Sequence, residues 1–313
     1  MTVIQGDCLD VLKDLPDGCV TAIVTDPPYG LEFMGKGWDK VLPPTEVWRE
    51  ALRVLRPGGH ALIFGGTRTY HRLACSVEDA GFEVRDCLMW LYGQGFPKAK
   101  SCLKPAWEPI LLARKPGPVQ MLNIDGCRIG PGHDNGRGRD GEASADRRYD
   151  ERGAVNIAAT PGPRGGDPAG RWPANVILDE EAGALLDAQA PTTGQAAPLK
   201  ETGRDRPGHG RLGEMGPPVA CEPHDGLGGA SRFFYCAKAS KRDRGAGNEH
   251  PTVKPVEIVR WLVRLVKGPG DNLVLDPFGG SGTTGVACQL EDVPFLLIER
   301  EAAYVAIAES RLA

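Results

Sequence analysis

The stretch that most constrains this chain lies near its far end. Residues 271–276, DNLVLD, read as a strand, and the glycine loop PFGGSGTTG follows at once. A helical pattern, TTGVACQLE, comes next, and the strand after it, PFLLIE, ends on the acid Glu299. Gly280, Gly282 and Gly285 satisfy G-x-G-x-x-G between strand and helix. Such a loop suits an adenosine-bearing ligand. Glycines let the backbone approach, the helix N-terminus offers N–H groups, and the carboxylate can hold ribose hydroxyls. No Gly-Lys-Ser/Thr follows, so the loop is not a P-loop. Only one more helical segment, AAYVAIAESRLA, follows Glu299, so the rest of the sheet must come from elsewhere.

The other end of the chain supplies it. TVIQG, VTAIVT, HALIFGG, EVRDCLMWLY and EPILLARK read as strands. CLDVLKDLP, TEVWREALRVL and RLACSVEDAGF read as helices, the second stopping at Pro57-Gly58-Gly59. Strand–helix alternation with continuous apolar strands implies an open, largely parallel α/β sheet. If LVLD is strand 1 and PFLLIE strand 2 of a doubly wound sheet, TVIQ becomes strand 3 and VTAIVT strand 4. The order 3-2-1-4 makes the first and last of these neighbours, with the ligand crevice at their carboxyl ends. The sheet is then circularly permuted, which folds tolerate because chain ends sit at the surface.

VTAIVT runs into TDPPYG (25–30). Two adjacent prolines end a strand and fix where their carbonyls point. Asp26, Pro27, Pro28 and Tyr29 therefore face the glycine loop in the permuted sheet. The plain alternative for this tetrapeptide is a type I turn.

Between about 120 and 230 the pattern weakens. GPGHDNGRGRDGEASADRRYDERG has almost no apolar periodicity. GRWPANVILD offers one strand, EEAGALLDAQ one helix, and SRFFYCAK (231–238) a strand. A long insertion, mobile without a ligand, is expected here. The regular pattern resumes with the amphipathic helix PVEIVRWLVRLV.

Composition narrows the class. With 313 residues, 41% hydrophobic and 25% charged, the chain is globular. No run of about 18 apolar residues suggests a membrane span, and MTVIQGDCLD lacks a secretory pattern. Nine scattered cysteines, without a CxxC, fit a reducing compartment, so a cytoplasmic protein is expected. Cys221, His224 and Cys236 match no standard zinc spacing, and no metal is expected. The net charge of −4 excludes a uniformly basic surface. Local basic clusters remain: Lys98, Lys100, Lys104, Arg114 and Lys115 against Glu108, and Arg232, Lys238, Lys241, Arg242 and Arg244 against Asp243. Their plain reading is solvated surface; beside a cleft they suit phosphates.

DPPYG, followed far downstream by HPTVKP (250–255) and DPFGGSGTT (276–284), resembles the amino-group DNA methyltransferases, adenine-N6 or cytosine-N4, that use S-adenosylmethionine. The motif order, DPPY first and FxGxG last, is similar to the permuted beta class. LKPAWEPILLARKP and SRFFYCAKASK are similar to stretches of phage and prophage members. The resemblance covers about 1–118 and 246–313. It implies a circularly permuted Rossmann-like S-adenosylmethionine-dependent methyltransferase sheet. Residues 1–118 would be the catalytic half, 119–245 a target-recognition insertion, and 246–313 the cofactor half.

The resemblance also implies roles. Asp26 and the Pro27 carbonyl accept the two hydrogens of an exocyclic amine, and Tyr29 stacks on a base flipped out of double-stranded DNA. Phe278, Gly280 and Gly282 line the methionine part of S-adenosylmethionine. Asp276 receives its amino group, Glu299 its ribose hydroxyls, and Asp7 lies near its adenine. Thr252 and Lys254 lie at its carboxylate end. Asp7 has the alternative of capping the helix that starts at Cys8; Glu299 could cap the last helix and Lys254 could be a surface lysine. Lys36, Trp38 and Asp39 either close over the base or simply pack. Arg128, Arg137, Arg139, Arg147, Arg148 and Arg152 lie in the recognition insertion, where guanine reading competes with plain solvation.

The expected activity is site-specific DNA methylation, with adenine favoured by DPPY over the SPPY associated with cytosine. A cytosine enzyme is the alternative, and a dinucleotide-dependent oxidoreductase the remote one. Expected partners are double-stranded DNA, a second copy in a homodimer, and a cognate restriction endonuclease or none.

Overall fold

A computed structural model describes residues 2–31, 39–95, 97, 100, 103–130, 169–190, 229–237, 248 and 252–313. Lys36, Trp38, Lys98, Cys221, His224, Lys238, Lys241, Arg242, Asp243, Arg244 and the arginines between 137 and 152 lie outside them. The chain divides into two compact units. The first comprises Met1–Ile129, Trp172–Gly183 and Phe234–Ala313; the second Gly130–Arg171 and Ala184–Phe233.

In chain order the elements begin with β1 (Thr2–Gln5), α1 (Cys8–Asp14), β2 (Val20–Thr25), α2 (Thr45–Val54), β3 (Leu55–Phe64) and α3 (Tyr70–Asp79). β4 (Glu83–Leu91), β5 (Trp107–Arg114), β6 (Val176–Asp179) and α4 (Glu180–Gln189) follow. The last are β7 (Tyr235–Ala237), α5 (Val256–Val266), β8 (Val274–Asp276), α6 (Thr283–Leu290), β9 (Phe295–Glu299) and α7 (Ala302–Leu312). Among the described residues no helix is long and apolar enough to cross a membrane.

One sheet runs β1-β9-β8-β2-β3-β5-β4-β6-β7. Its first four strands stand in the order expected from the permuted reading, all parallel. β5 runs antiparallel to both β3 and β4. β6 and β7, from the stretch between 172 and 237, extend the sheet in parallel beyond β4.

Alternation along the central strands builds a core on each face. Ala22, Val24, Leu62, Phe64, Ile110 and Leu112 point to one side, against α5. Ile23, Ala61, Ile63, Leu111 and Ala113 point to the other, against α2 and α3. Ile23 is fully buried, which is worth about 1.5–3 kcal/mol relative to exposure. Helix α2 turns Val47, Trp48, Ala51 and Val54 inward. On its outer side Arg53 ties the Leu12 and Leu15 carbonyls and Asp17.

Two local expectations change. The Pro57-Gly58-Gly59 stop falls inside β3, because the register shifts from Val20↔Leu55 to Ala22↔His60. Four residues of β3 oppose Thr21 alone, and this bulge absorbs the turn. Gly58, at φ +79°, could carry no side chain, since a Cβ would strike the Pro118 carbonyl. The strand expected over 231–238 shrinks to β7, preceded by a 3-10 turn at Ala230–Phe233. Asp187 holds that turn, accepting the Ser231 amide (2.8 Å) and hydroxyl (2.7 Å).

Candidate active site

β8 and β2 lie side by side, and both end at one cavity of about 1080 Å3. All the residues expected from sequence to line it, except Gly282, do so: Asp7, Asp26, Pro27, Pro28, Tyr29, Thr252, Lys254, Asp276, Phe278, Gly280 and Glu299. The two strand ends are tied directly. The Thr25 hydroxyl donates to Asp276 Oδ1 at 2.6 Å, although 251 positions separate the residues.

On the glycine side, Asp276 also accepts from the Phe278 amide (3.0 Å) and the Thr284 hydroxyl (2.6 Å). Burial dominates over these donors and raises its carboxyl from 3.8 to about 6. Glu299 accepts the Gly280 amide (2.8 Å) through one oxygen and the Glu301 amide (2.8 Å) through the other. Burial raises its carboxyl too, against those same donors. Gly280 and Gly282 adopt φ +50° and +81°, which side chains rarely take. Gly282 is also packed, since a Cβ there would lie 2.9 Å from the Ala308 Cβ. From α7, Arg311 Nη1 donates to the Ser281 carbonyl (2.6 Å) and to the Thr283 hydroxyl (3.1 Å). Phe278 packs toward Trp48, with ring centroids 6.2 Å apart. Asp7 caps α1 through the Leu9 amide at 2.9 Å while lining the cavity.

On the proline side, a charged cluster forms. The Tyr29 hydroxyl lies 2.8 Å from Asp26 Oδ1 and 3.1 Å from Glu108 Oε2, so its proton serves one carboxylate at a time. Lys254 Nζ lies 2.9 Å from Asp26 Oδ2 and 3.3 Å from Glu108 Oε2. The same ammonium sits 5.1 Å from the Tyr29 ring centroid and 5.2 Å from that of Phe64. Burial works against the Lys254 charge, but Asp26 and Glu108 outweigh it and hold the ammonium above the ordinary lysine value. Burial, then Asp26 and Glu108, keeps the Tyr29 phenol well above the usual tyrosine range, so it stays a donor.

The loop itself is pinned from outside. Asp39, itself buried, accepts the Tyr29 amide (2.7 Å) and the Gly30 amide (3.1 Å) through Oδ1. The Thr69 hydroxyl donates to the Tyr29 carbonyl at 2.8 Å. No described residue donates a hydrogen bond to the Pro27 carbonyl. An aromatic wall continues the cavity, where the Trp90 and Tyr92 rings pack tilted at 56° with centroids 5.2 Å apart.

Glu108 and the anchoring role of Asp39 were not evident in the sequence. Glu108 stood there as the lone acid of a basic stretch, and only the strand alternation E-x-I-x-L hinted that it shares a face with Ile110 and Leu112. Among the described residues no group of three or more His, Cys, Asp or Glu could hold a metal ion. Cys236, the described member of the zinc alternative, has its thiol 3.9 Å from the Phe234 carbonyl.

Comparison with known proteins agrees with this geometry. The chain is similar to the type II methyltransferase M.HpaI of Haemophilus parainfluenzae, 23% identical over 321 aligned positions that cover 99% of this chain and 73% of that one. It is equally similar, at 23% over 324 positions, to the DNA adenine methyltransferase YhdJ of Escherichia coli strain K12, covering 99% of this chain and 82% of that one. The fold is shared with M1.HpyAVI, solved with S-adenosylmethionine: TM-score 0.51, 19% identity, 99% of each chain. It is shared too with the cytosine-N4-specific PvuII DNA methyltransferase: TM-score 0.57, 15% identity, 100% of this chain and 86% of that one. The model of the DNA methylase family, whose members modify N6 or N4 amino groups, matches residues 20–310. That match sets the oxidoreductase alternative aside. The chain belongs to this family of DNA methyltransferases.

Proposed function

We propose that the protein transfers a methyl group from S-adenosylmethionine to the exocyclic amino group of a base flipped out of double-stranded DNA, and that the base is adenine. One observation carries the reading: Asp26-Pro27-Pro28-Tyr29 and the glycine loop, from opposite ends of the chain, line one cavity and are joined through Thr25 and Asp276. Its volume of about 1080 Å3 exceeds the few hundred Å3 that suffice for one small ligand, leaving room for a cofactor and a base.

The residues present fit the cofactor. Gly280 and Gly282 hold conformations that keep side chains off the loop, and Asp276 and Glu299 bring carboxylates to it. Asp276 would take the amino group, Glu299 the ribose hydroxyls, Asp7 the adenine edge, and Phe278 and Thr252 the methionine portion. When bound, S-adenosylmethionine supplies an activated sulfonium methyl. Asp26 orients the target amine by accepting one of its hydrogens; each carboxylate oxygen keeps a lone-pair direction beyond its Tyr29 or Lys254 contact. The Pro27 carbonyl accepts the other hydrogen. Together the two acceptors turn the nitrogen lone pair toward the methyl, so positioning supplies much of the rate. The Tyr29 ring and the Trp90–Tyr92 wall exclude water beside the base. The stretch 119–245 would read the target sequence; of the described members of the 97–118 basic cluster Lys104 lines the cavity, whereas Arg114 pairs with Glu83 and Lys115 donates to the Arg53 and Leu55 carbonyls.

DPPY and the name of the YhdJ relative favour adenine. The cytosine reading rests on the PvuII enzyme, which shares the fold and is cytosine-N4-specific. The test is expression in a methylation-free host, with mass spectrometry of the DNA. N6-methyladenine is expected; N4-methylcytosine would reverse the base assignment. An Asp26→Ala variant that still methylated DNA at the wild-type rate would overturn the site.

A further inference from the structure

We propose that Glu108 is a positioning residue of the methyl-transfer centre: it draws the Lys254 ammonium away from Asp26 and so keeps Asp26 a strong acceptor for the target amine. The inference rests on the methyltransferase reading above and extends it to a residue outside the expected motifs.

The geometry is that of one cation shared by two anions. Lys254 Nζ is 2.9 Å from Asp26 and 3.3 Å from Glu108, and the Tyr29 hydroxyl repeats the same sharing at 2.8 and 3.1 Å. Each of the two donors therefore bridges the same pair of carboxylates. The three charged side chains are 25% (Asp26), 23% (Glu108) and 11% (Lys254) exposed, so water screens them little. Two carboxylates against one ammonium leave the cluster with one net negative charge at the cavity wall.

The consequence for Asp26 follows from hydrogen-bond competition. A carboxylate bound wholly by an ammonium accepts a third donor poorly, because its charge is already spent on the ion pair. Glu108 takes part of that ammonium and part of the tyrosine proton. The fold provides the arrangement. Glu108 shares the sheet face of Ile110 and Leu112, and Lys254 lies two positions before α5, next to its Pro255 N-cap; α5 packs on that face.

The experiment measures methyl transfer to DNA, S-adenosylmethionine affinity and thermal midpoint for wild type, Glu108→Gln, Lys254→Met and the double variant. Glu108→Gln should lower kcat by about tenfold to a hundredfold, the scale of one lost charged hydrogen bond. Cofactor affinity and thermal midpoint should stay near wild type. The double variant should transfer methyl faster than Glu108→Gln alone, since the lysine that monopolises Asp26 is gone. A purely structural role would not produce that recovery. A wild-type rate in Glu108→Gln overturns the inference, as does a double variant no faster than Glu108→Gln. A loss of activity that tracks lost cofactor binding and stability also overturns it. A wild-type protein that transfers no methyl to DNA overturns the methyltransferase reading itself, whereas an active wild type with indifferent variants removes only the role of Glu108.

Discussion

Thr25 donates its hydroxyl to Asp276 at 2.6 Å, joining the last residue of β2 to the last residue of β8. The same carboxylate lies 2% exposed at the cavity. Its burial, which raises it from 3.8 to about 6, has two opposite effects on pH behaviour. Between about pH 4 and 6 the folded protein binds more protons at this site than the unfolded chain, so its contribution to stability is greatest at low pH and falls as pH rises. The loss above pH 6 is roughly 3 kcal/mol at 1.4 kcal/mol per unit. Urea unfolding at several pH values should therefore show Asp276→Asn gaining stability relative to wild type as pH increases. Cofactor binding runs the other way. Affinity for S-adenosylmethionine should weaken below about pH 6, by at most about tenfold per unit for one proton. Calorimetry on the asparagine variant should give a flat profile.

Gly282→Ala tests the backbone of the loop. A Cβ at φ +81° is strained, and it would also meet Ala308 Cβ at 2.9 Å. The cost should be about 1–3 kcal/mol, lowering the thermal midpoint by several degrees. An unchanged midpoint in a melting scan would show that the loop can reshape freely.

Arg311→Ala should separate cofactor binding from DNA binding. The guanidinium holds the Ser281 carbonyl and hydroxyl and the Thr283 hydroxyl from α7. Charged hydrogen bonds of this kind contribute about 1.5–3 kcal/mol. The dissociation constant for S-adenosylmethionine should rise about tenfold or more. DNA affinity measured without cofactor should not change.

Asp39→Ala removes the anchor of the Tyr29 and Gly30 amides. Asp26, three positions before Tyr29, then loses its fixed setting. The expected loss is in kcat, about tenfold to a hundredfold, with cofactor affinity near wild type. Single-turnover methylation and equilibrium binding on the same preparation would separate the two.

The sheet centre was legible because its signals are local. VTAIVT and LVLD are largely apolar, and the acid-ended PFLLIE and the glycine loop fix which strands must meet. Their adjacency follows from motif order alone. The antiparallel sense of β5 was not legible, since EPILLARK reads the same in either direction. The bulge at Pro57–Gly59 was read as a stop because turn residues look alike inside and outside a strand. Glu108, and the pairing of Lys254 with Asp26, escaped for a different reason. Glu108 is an ordinary charged residue in sequence, and only the packing of α5 against β5's face brings it and Lys254 to Asp26.

The hold of Arg311 on the glycine loop bears on how the protein is made. β1 pairs only with β9 among the described strands, and β2 needs β8 for its other edge. Both partners emerge from the ribosome after residue 273, and Arg311 later still. At about 5–20 residues per second, the first-made strands wait on the order of tens of seconds with apolar edges open. A nascent chain therefore carries Asp26 and Tyr29 long before it can bind a methyl donor. Its early half is a candidate client for chaperones that shield unpaired strands.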